Sequence, residues 1–278
     1  MDARQVKERS RAGVGMVLLG ALAWLPLSVA RAEESPAGGD QVASRLGVAL
    51  DTTWVSKYVW RGYDLFDDHA ALQPSVDVDL FGTGFSMNAW GAIPMGTGSN
   101  NQGGGINQWQ EYDYTLAYSK TLFAEERYAV ELGANYIYYD FPKLNHMADS
   151  QEIGASVALP NLLEIGGSAL VPSYSVGKLW PTSSGVSDVA GGYHGLGLGY
   201  EVAVPETDLT LSFSGEVAYN DGLFGSDHDW SHSTFGVSTS VPAGPVTLTP
   251  FVYYQVSMDD SVNDEDEIYG GVSASISF

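Results

Sequence analysis

The chain contains no cysteine. That excludes a disulfide scaffold for an exported protein, and it excludes lipid attachment at a processed amino-terminal cysteine. Basic residues are scarce: 12 Lys and Arg stand against 34 Asp and Glu, for a formal net charge of -22. A chain so acidic is no partner for nucleic acid, whose phosphates need Lys and Arg. Beyond residue 32 no apolar run approaches the ~18 residues of a helical membrane span. Gly, Ser or a charge interrupts every candidate.

What the sequence has instead is glycine and tyrosine, 33 and 16 residues. The last ten residues show how they are used. Ile268, Gly270, Val272, Ala274, Ile276 and Phe278 fall on one parity, and Tyr269, Gly271, Ser273, Ser275 and Ser277 on the other. A strand sends alternate residues to opposite faces, so this segment has one apolar and one small polar face. An alternating strand that ends on an aromatic residue suits the closing strand of an outer-membrane β-barrel, with lipid outside and a polar lumen inside.

The amino terminus fits export. Arg4, Lys7, Arg9 and Arg11 precede the apolar stretch Gly13 to Val29, and Ala30-Arg31-Ala32 has the small-x-small form cut by signal peptidase. Residues 1–32 therefore read as a signal peptide of the general secretory pathway, removed after Ala32. Residues 33–44 read as a flexible leader, and 45–278 as the barrel. The signal segment carries five bases and two acids, so its removal takes the formal charge from -22 to -25. A barrel is the only other way to satisfy every backbone polar group in lipid.

From Arg45 onward about twelve alternating segments have the length of a tilted membrane strand. Short joins are expected at Gly82-Thr83-Gly84, Phe123 to Arg127, Pro160-Asn161, Pro205 to Asp208 and Pro242 to Pro245. Long polar joins alternate with them at 61–70, Pro94 to Asn107, 141–149, 177–191, 221–231 and 259–266. Tight periplasmic turns and longer external loops alternate in this way. Pro74 and Pro250 suggest bulges. The fold class is thus an all-β antiparallel transmembrane barrel of the Gram-negative outer membrane.

Parity assigns the faces. Trp54, Tyr58, Trp60, Tyr112, Tyr114, Tyr118, Tyr136, Tyr200 and Phe278 are expected to form the aromatic girdles. The lumen is expected to carry the acids Asp51, Asp77, Asp79, Glu111, Asp113, Glu131, Glu152, Glu164, Glu201 and Glu216, with Lys57 and Arg61 as the inward bases. Small walls leave open space, and an excess of carboxylates favours cations over anions. The expected function is passive diffusion of small polar or cationic solutes. No cofactor is implied. Outer-membrane lipid, lipopolysaccharide and the barrel-assembly machinery, the last through the carboxy-terminal strand, are the expected partners.

Two further readings stay open. The acids Asp259, Asp260, Asp264 and Asp266 suit a hard divalent ion, but the loop lacks the glycine of an EF-hand and defines no cage. A non-conducting barrel whose acidic external loops bind divalent cations or surface partners would use them. Asp227-His228-Asp229-Trp230-Ser231-His232 offers two imidazoles without a helical face to align them. An acyl hydrolase would need a Ser/His pair on the lipid face, and Ser173 and His194 share outward parity on neighbouring segments. No supporting carboxylate is evident.

Val55-Ser-Lys-Tyr-Val-Trp-Arg-Gly62, then Ala71-Leu-Gln-Pro74 and Gly84-Phe-Ser-Met-Asn-Ala-Trp90, resembles the opening of the TorF-like (Gcw_chp) family of outer-membrane proteins. The likeness covers roughly 55–92 and is architectural thereafter; Met87-Asn88 departs from the family's usual Tyr-Ala/Val-Gly run. The resemblance implies a β-barrel of channel-forming type and brings no catalytic residues.

Overall fold

Twelve long strands close into one antiparallel barrel. The computed structural model describes residues 46–96, 109–144, 148–183 and 189–278; the signal and leader segments and most of the 94–107 join lie outside these. The wall runs β1 (Gly47–Val55), β4 (Ala70–Asp79), β5 (Phe85–Met95), β6 (Glu111–Leu122), β7 (Val130–Asp140), β8 (Ser150–Ala158), β10 (Ser168–Pro181), β11 (Gly191–Ala203), β12 (Thr210–Asp221), β13 (His228–Thr239), β15 (Val246–Ser257) and β16 (Glu267–Ser277). Each pairs with the next, and β16 closes on β1 from Ala49–Ser277 to Val55–Gly271. Closure leaves no unpaired edge to meet lipid. Among the described residues no helix is long and apolar enough to cross a membrane.

The alternation expected from sequence is real. Leu50, Trp54, Val76, Met87, Leu116, Leu132, Ile153, Leu196, Phe213, Val252 and Val272 all point outward as exposed apolar side chains. In the closing strand Ile268 and Phe278 are exposed while Tyr269 and Ser273 are buried. The one register shift in the β12–β13 ladder falls at Ala218/Tyr219, where Ser231 is the extra residue.

Several local expectations need correction. Pro160-Asn161 is not a hairpin turn. The strand resumes as β9 (Leu163–Ile165), and the turn follows at Gly166-Gly167, both with positive φ. Between the pairs Ser173–Ala158 and Leu170–Leu163 one strand advances three residues and the other five. The excess forms an irregularity in the strand, and its Asn161 amide donates to the Ala124 and Glu126 carbonyls of the neighbouring turn. Pro242 likewise sits in a short strand, β14 (Val241–Ala243), and the chain reverses at Gly244-Pro245. Pro74 and Pro250 produce no register shift; Pro74 costs its strand rungs to β5 while staying paired to Thr52.

The largest departure follows β1. The strand ends at Val55, and residues 56–69 turn into the barrel instead of extending it. There they form a two-strand hairpin, β2 (Val59–Trp60) and β3 (Tyr63–Asp64). Arg61 (φ 50°) and Gly62 (φ 96°) make its two-residue turn, and two consecutive left-handed residues fit the twist of a hairpin. Tyr58, Val59, Trp60 and Phe66 then pack on Val55, Ala71, Ala92, Ile137, Tyr139, Leu179, Leu223, Phe251, Tyr253 and Tyr269. A barrel lined by small residues thus has an apolar core across its long-loop end, supplied by its own first loop.

Glycines in the wall make room for this filling. A Cβ on Gly271 would strike the Trp54 carbonyl and come 2.7 Å from the Phe251 ring. Gly271→Ala is expected to lower stability by about 1–3 kcal/mol, the range for overpacking. A fall in the urea midpoint of the detergent-refolded barrel would bear this out; an unchanged midpoint would contradict the packing.

Candidate functional site

The site is the contact between the inward hairpin and the wall. Arg61 heads the turn and is 5% exposed, and its partner Glu152 on β8 is 0% exposed. The guanidinium donates twice to one carboxylate, Nη1 to Oε2 at 2.8 Å and Nη2 to Oε1 at 2.7 Å. This fork-to-fork geometry is the strongest a side-chain ion pair offers. Tyr139 on β7 adds its hydroxyl to Glu152 Oε2 at 3.1 Å. The guanidinium lies between two rings, 4.4 Å from Trp60 and 4.7 Å from Tyr193 on β11. Tyr193 in turn donates to Glu216 on β12 at 2.6 Å.

Other bonds fix the segment around that centre. Gln255 on β15 donates to the Gly62 carbonyl at 2.9 Å. Tyr58 donates to Glu111 on β6 at 3.0 Å. Tyr63 donates to the Leu223 carbonyl at 2.7 Å and accepts from Asn220 at 2.9 Å. Lys57 bonds Glu267 on β16 at 2.7 Å and pairs with Asp68 within the segment. Burial opposes the Lys57 charge, but the Asp68 and Glu267 carboxylates outweigh it and hold its pKa above the ordinary lysine range. A Cβ on Gly62 would meet His232 Nδ1 and Val262 at 2.7 Å, so the turn seats against both. Between Arg61, Glu216, His232 and Gln255 remains a cavity with room for about one water.

The expected lumen residues divide by level. Asp51, Asp77, Glu131 and Glu201 face inward in the short-turn half and are only half-buried. Asp51 accepts from Ser273 and Thr53, Asp77 from Asn88, and Glu201 from Ser212. Asp79 instead caps the turn at Gly82, and Glu164 is exposed on β9. Glu111, Asp113, Glu152 and Glu216 belong to the long-loop half, under the hairpin. Lys57 and Arg61 are each paired with a wall carboxylate, Glu267 and Glu152.

Two girdle assignments fail. Tyr58 is 6% exposed and Trp60 7%, because the chain bends inward after Val55 and the outward parity of β1 does not continue. Tyr58 contacts Phe66 and Trp90 inside, and Trp60 contacts Tyr139. Of the other expected girdle residues, Trp54, Tyr114, Tyr136 and Phe278 are exposed, and Tyr112, Tyr118 and Tyr200 are partly exposed. Tyr112 lies on Gly91, Tyr118 on Phe85, and Tyr200 reaches the Ile165 carbonyl.

The loop acids build no cage. Asp266 accepts from the Tyr254 hydroxyl and the Ser257 N–H, which hold its pKa below the usual carboxylate range. Asp259 caps Ser261. The acids that do gather within ligand distance of one another are Asp64, Asp68 and Glu267, where the Lys57 ammonium already sits. The bulge at Ser231 separates the two imidazoles: His228 is exposed beside Asp221, and His232 is buried in the lumen. Ser173 also departs from its expected face. Its Oγ lies 2.5 Å from where a Cβ on inward Gly197 would stand, whereas His194 bonds the exposed Tyr174 outside. They lie on opposite faces of the wall and cannot form a nucleophile–base pair.

No family model and no curated protein matches the chain. Solved structures do. The NanC porin aligns with a TM-score of 0.50 at 7% identity, over 82% of this chain and 98% of that one. The outer-membrane channel DcaP of Acinetobacter baumannii gives 0.40 at 9%, over 84% and 96%. LpxR from Salmonella typhimurium gives 0.45 at 9%, over 82% and 99%. At these identities the likeness is one of fold. The protein is a twelve-stranded closed antiparallel β-barrel, the fold of outer-membrane barrel proteins.

Removing one partner of a buried pair costs about 3–5 kcal/mol, because the other charge is left bare. In Glu152→Gln the hairpin is therefore expected to undock and trypsin to cut after Arg61, ~100-fold or more faster than in the wild type. Equal resistance of the two proteins would contradict the role given to this pair.

Proposed function

We propose that the barrel is a passive channel for small polar solutes, cation-leaning, whose long-loop end is narrowed by residues 56–69. The observation that carries this reading is the short-turn half of the lumen. Asp51, Asp77, Glu131 and Glu201 are half-exposed there among Ser75, Gly133, Ser156, Gly197, Ser212 and Ser275. Such a wall holds water, and carboxylates that face water with no basic partner among the described residues lower the energy of cations and raise that of anions. The acids of the long-loop half contribute less, being covered by the hairpin and offset by Arg61 and Lys57. Selectivity then lies in the lower half and permeability in the hairpin.

In this reading the chain is exported by the general secretory pathway and cleaved after Ala32. It is inserted by the barrel-assembly machinery through β16, and its external loops meet lipopolysaccharide. The 55–92 stretch supports kinship with the TorF-like family. The lumen-facing Ser173 speaks against the hydrolase, and the internally bonded Asp259 and Asp266 against a loop metal site.

Planar-bilayer conductance in a KCl gradient tests the proposal. The wild type is expected to give small, infrequent, cation-preferring steps, and Glu152→Gln larger ones. Replacing Asp51, Asp77 and Glu131 together by their amides is expected to weaken the cation preference. Anion preference in the wild type would overturn the lumen assignment. A folded Glu152→Gln barrel without steps would overturn the channel.

A further inference from the structure

Arg61 occupies a receptor that the wall builds without it. Glu152, Tyr139, Tyr193 and Glu216 come from four separate strands, β7, β8, β11 and β12. They are tied to one another by the Tyr139–Glu152 and Tyr193–Glu216 hydrogen bonds. Together they offer what a planar cation needs: a carboxylate presenting both oxygens in the plane of a fork, a ring face to stack on, and a second carboxylate nearby. This receptor holds the chain's own guanidinium, brought in on a turn whose backbone disfavours arginine. A type I′ turn selects Asn, Asp or Gly at its first position, and a left-handed Arg there is costly. That cost is met by the contacts of the side chain.

We propose that the wall residues Glu152, Tyr139 and Tyr193 form a binding site for guanidinium-bearing solutes, and that Arg61 fills it in cis as an internal stand-in that such a solute displaces. The proposal rests on the channel reading for the solute's route and names its class. A tethered competitor has a high effective concentration, so the site stays shut to dilute solute and to cations of other shape. A spherical cation gains the charge of Glu152 but neither the bidentate bond nor the stacking face, and a primary ammonium offers a single point charge. A guanidinium gains all three.

The test is isothermal titration of methylguanidinium into the refolded barrel in detergent, which requires no ion flow and so stands apart from the channel reading. Arg61→Ala empties the receptor and leaves its wall intact. It is expected to bind methylguanidinium at one site, ~10-fold or more tighter than Arg61→Ala/Glu152→Gln, as loss of a charge-assisted bidentate bond implies. Tetramethylammonium, which lacks the N–H fork, is expected to bind ~10-fold or more weakly than methylguanidinium. Equal binding by the single and double variants, or by the two cations, would overturn the site. Arg61→Ala leaves a buried carboxylate bare and can fail to refold; its heat-modifiable form is then expected to be rescued by methylguanidinium and not by tetramethylammonium. Absence of that rescue would overturn the site equally. Binding without conductance would retain the receptor and remove the channel.

Discussion

A guanidinium buried inside a membrane barrel, held at two points by one carboxylate, is the interaction on which the rest of this structure turns. Without Glu152 the Arg61 charge has no place in an apolar core, and without Arg61 the carboxylate is equally stranded. The pair thus makes docking of residues 56–69 all or none. Trp60 and Tyr63, flanking the turn, pack against Tyr139 and Phe224. Tyr58 and Phe66 are buried under the same cover. The apolar filling excludes water from the pair, and that exclusion strengthens it.

The consequence is a lumen of two halves. On the short-turn side small residues and half-exposed carboxylates leave room. On the long-loop side the space between the strands is filled by aromatic rings. Wall glycines permit this. A Cβ on Gly236 would strike the Tyr253 ring, and one on Gly271 would approach Phe251, so both rings lie close against the backbone of the wall. A wide barrel becomes a narrow one through its lining, with the strand number unchanged.

Much of the wall was legible in the sequence because a strand in lipid must alternate. The closing strand from Ile268 to Phe278 and the outward Leu196, Leu198 and Tyr200 followed directly. Tyr139 and Tyr193 share the inward parity of Glu131 and Glu201, so that signal could have found them. The hairpin was hidden for a physical reason. Lys57-Tyr58-Val59-Trp60-Arg61 alternates as a strand does, and alternation cannot tell a strand that continues from one that folds back. Arg61-Gly62 disguises the turn, since arginine is a rare first residue of that turn type. The bulge at Ser231 reverses the faces of His228 and His232 with no mark in composition. Pro74 and Pro250 raised an expectation of bulges, but a lost ladder rung is absorbed without a change of register.

The central claim is that residues 56–69 form a packed part of the barrel and not an external loop. Hydrogen–deuterium exchange of the unmodified protein in detergent tests it most directly. The N–H groups of Ser56 and Leu65 donate to the Gly270 and Tyr58 carbonyls, and the hairpin pairs Val59 with Asp64. Peptides covering 56–69 are expected to exchange on the slow timescale of the barrel strands, well behind those covering 258–266. Exchange of 56–69 as fast as that loop would contradict the account.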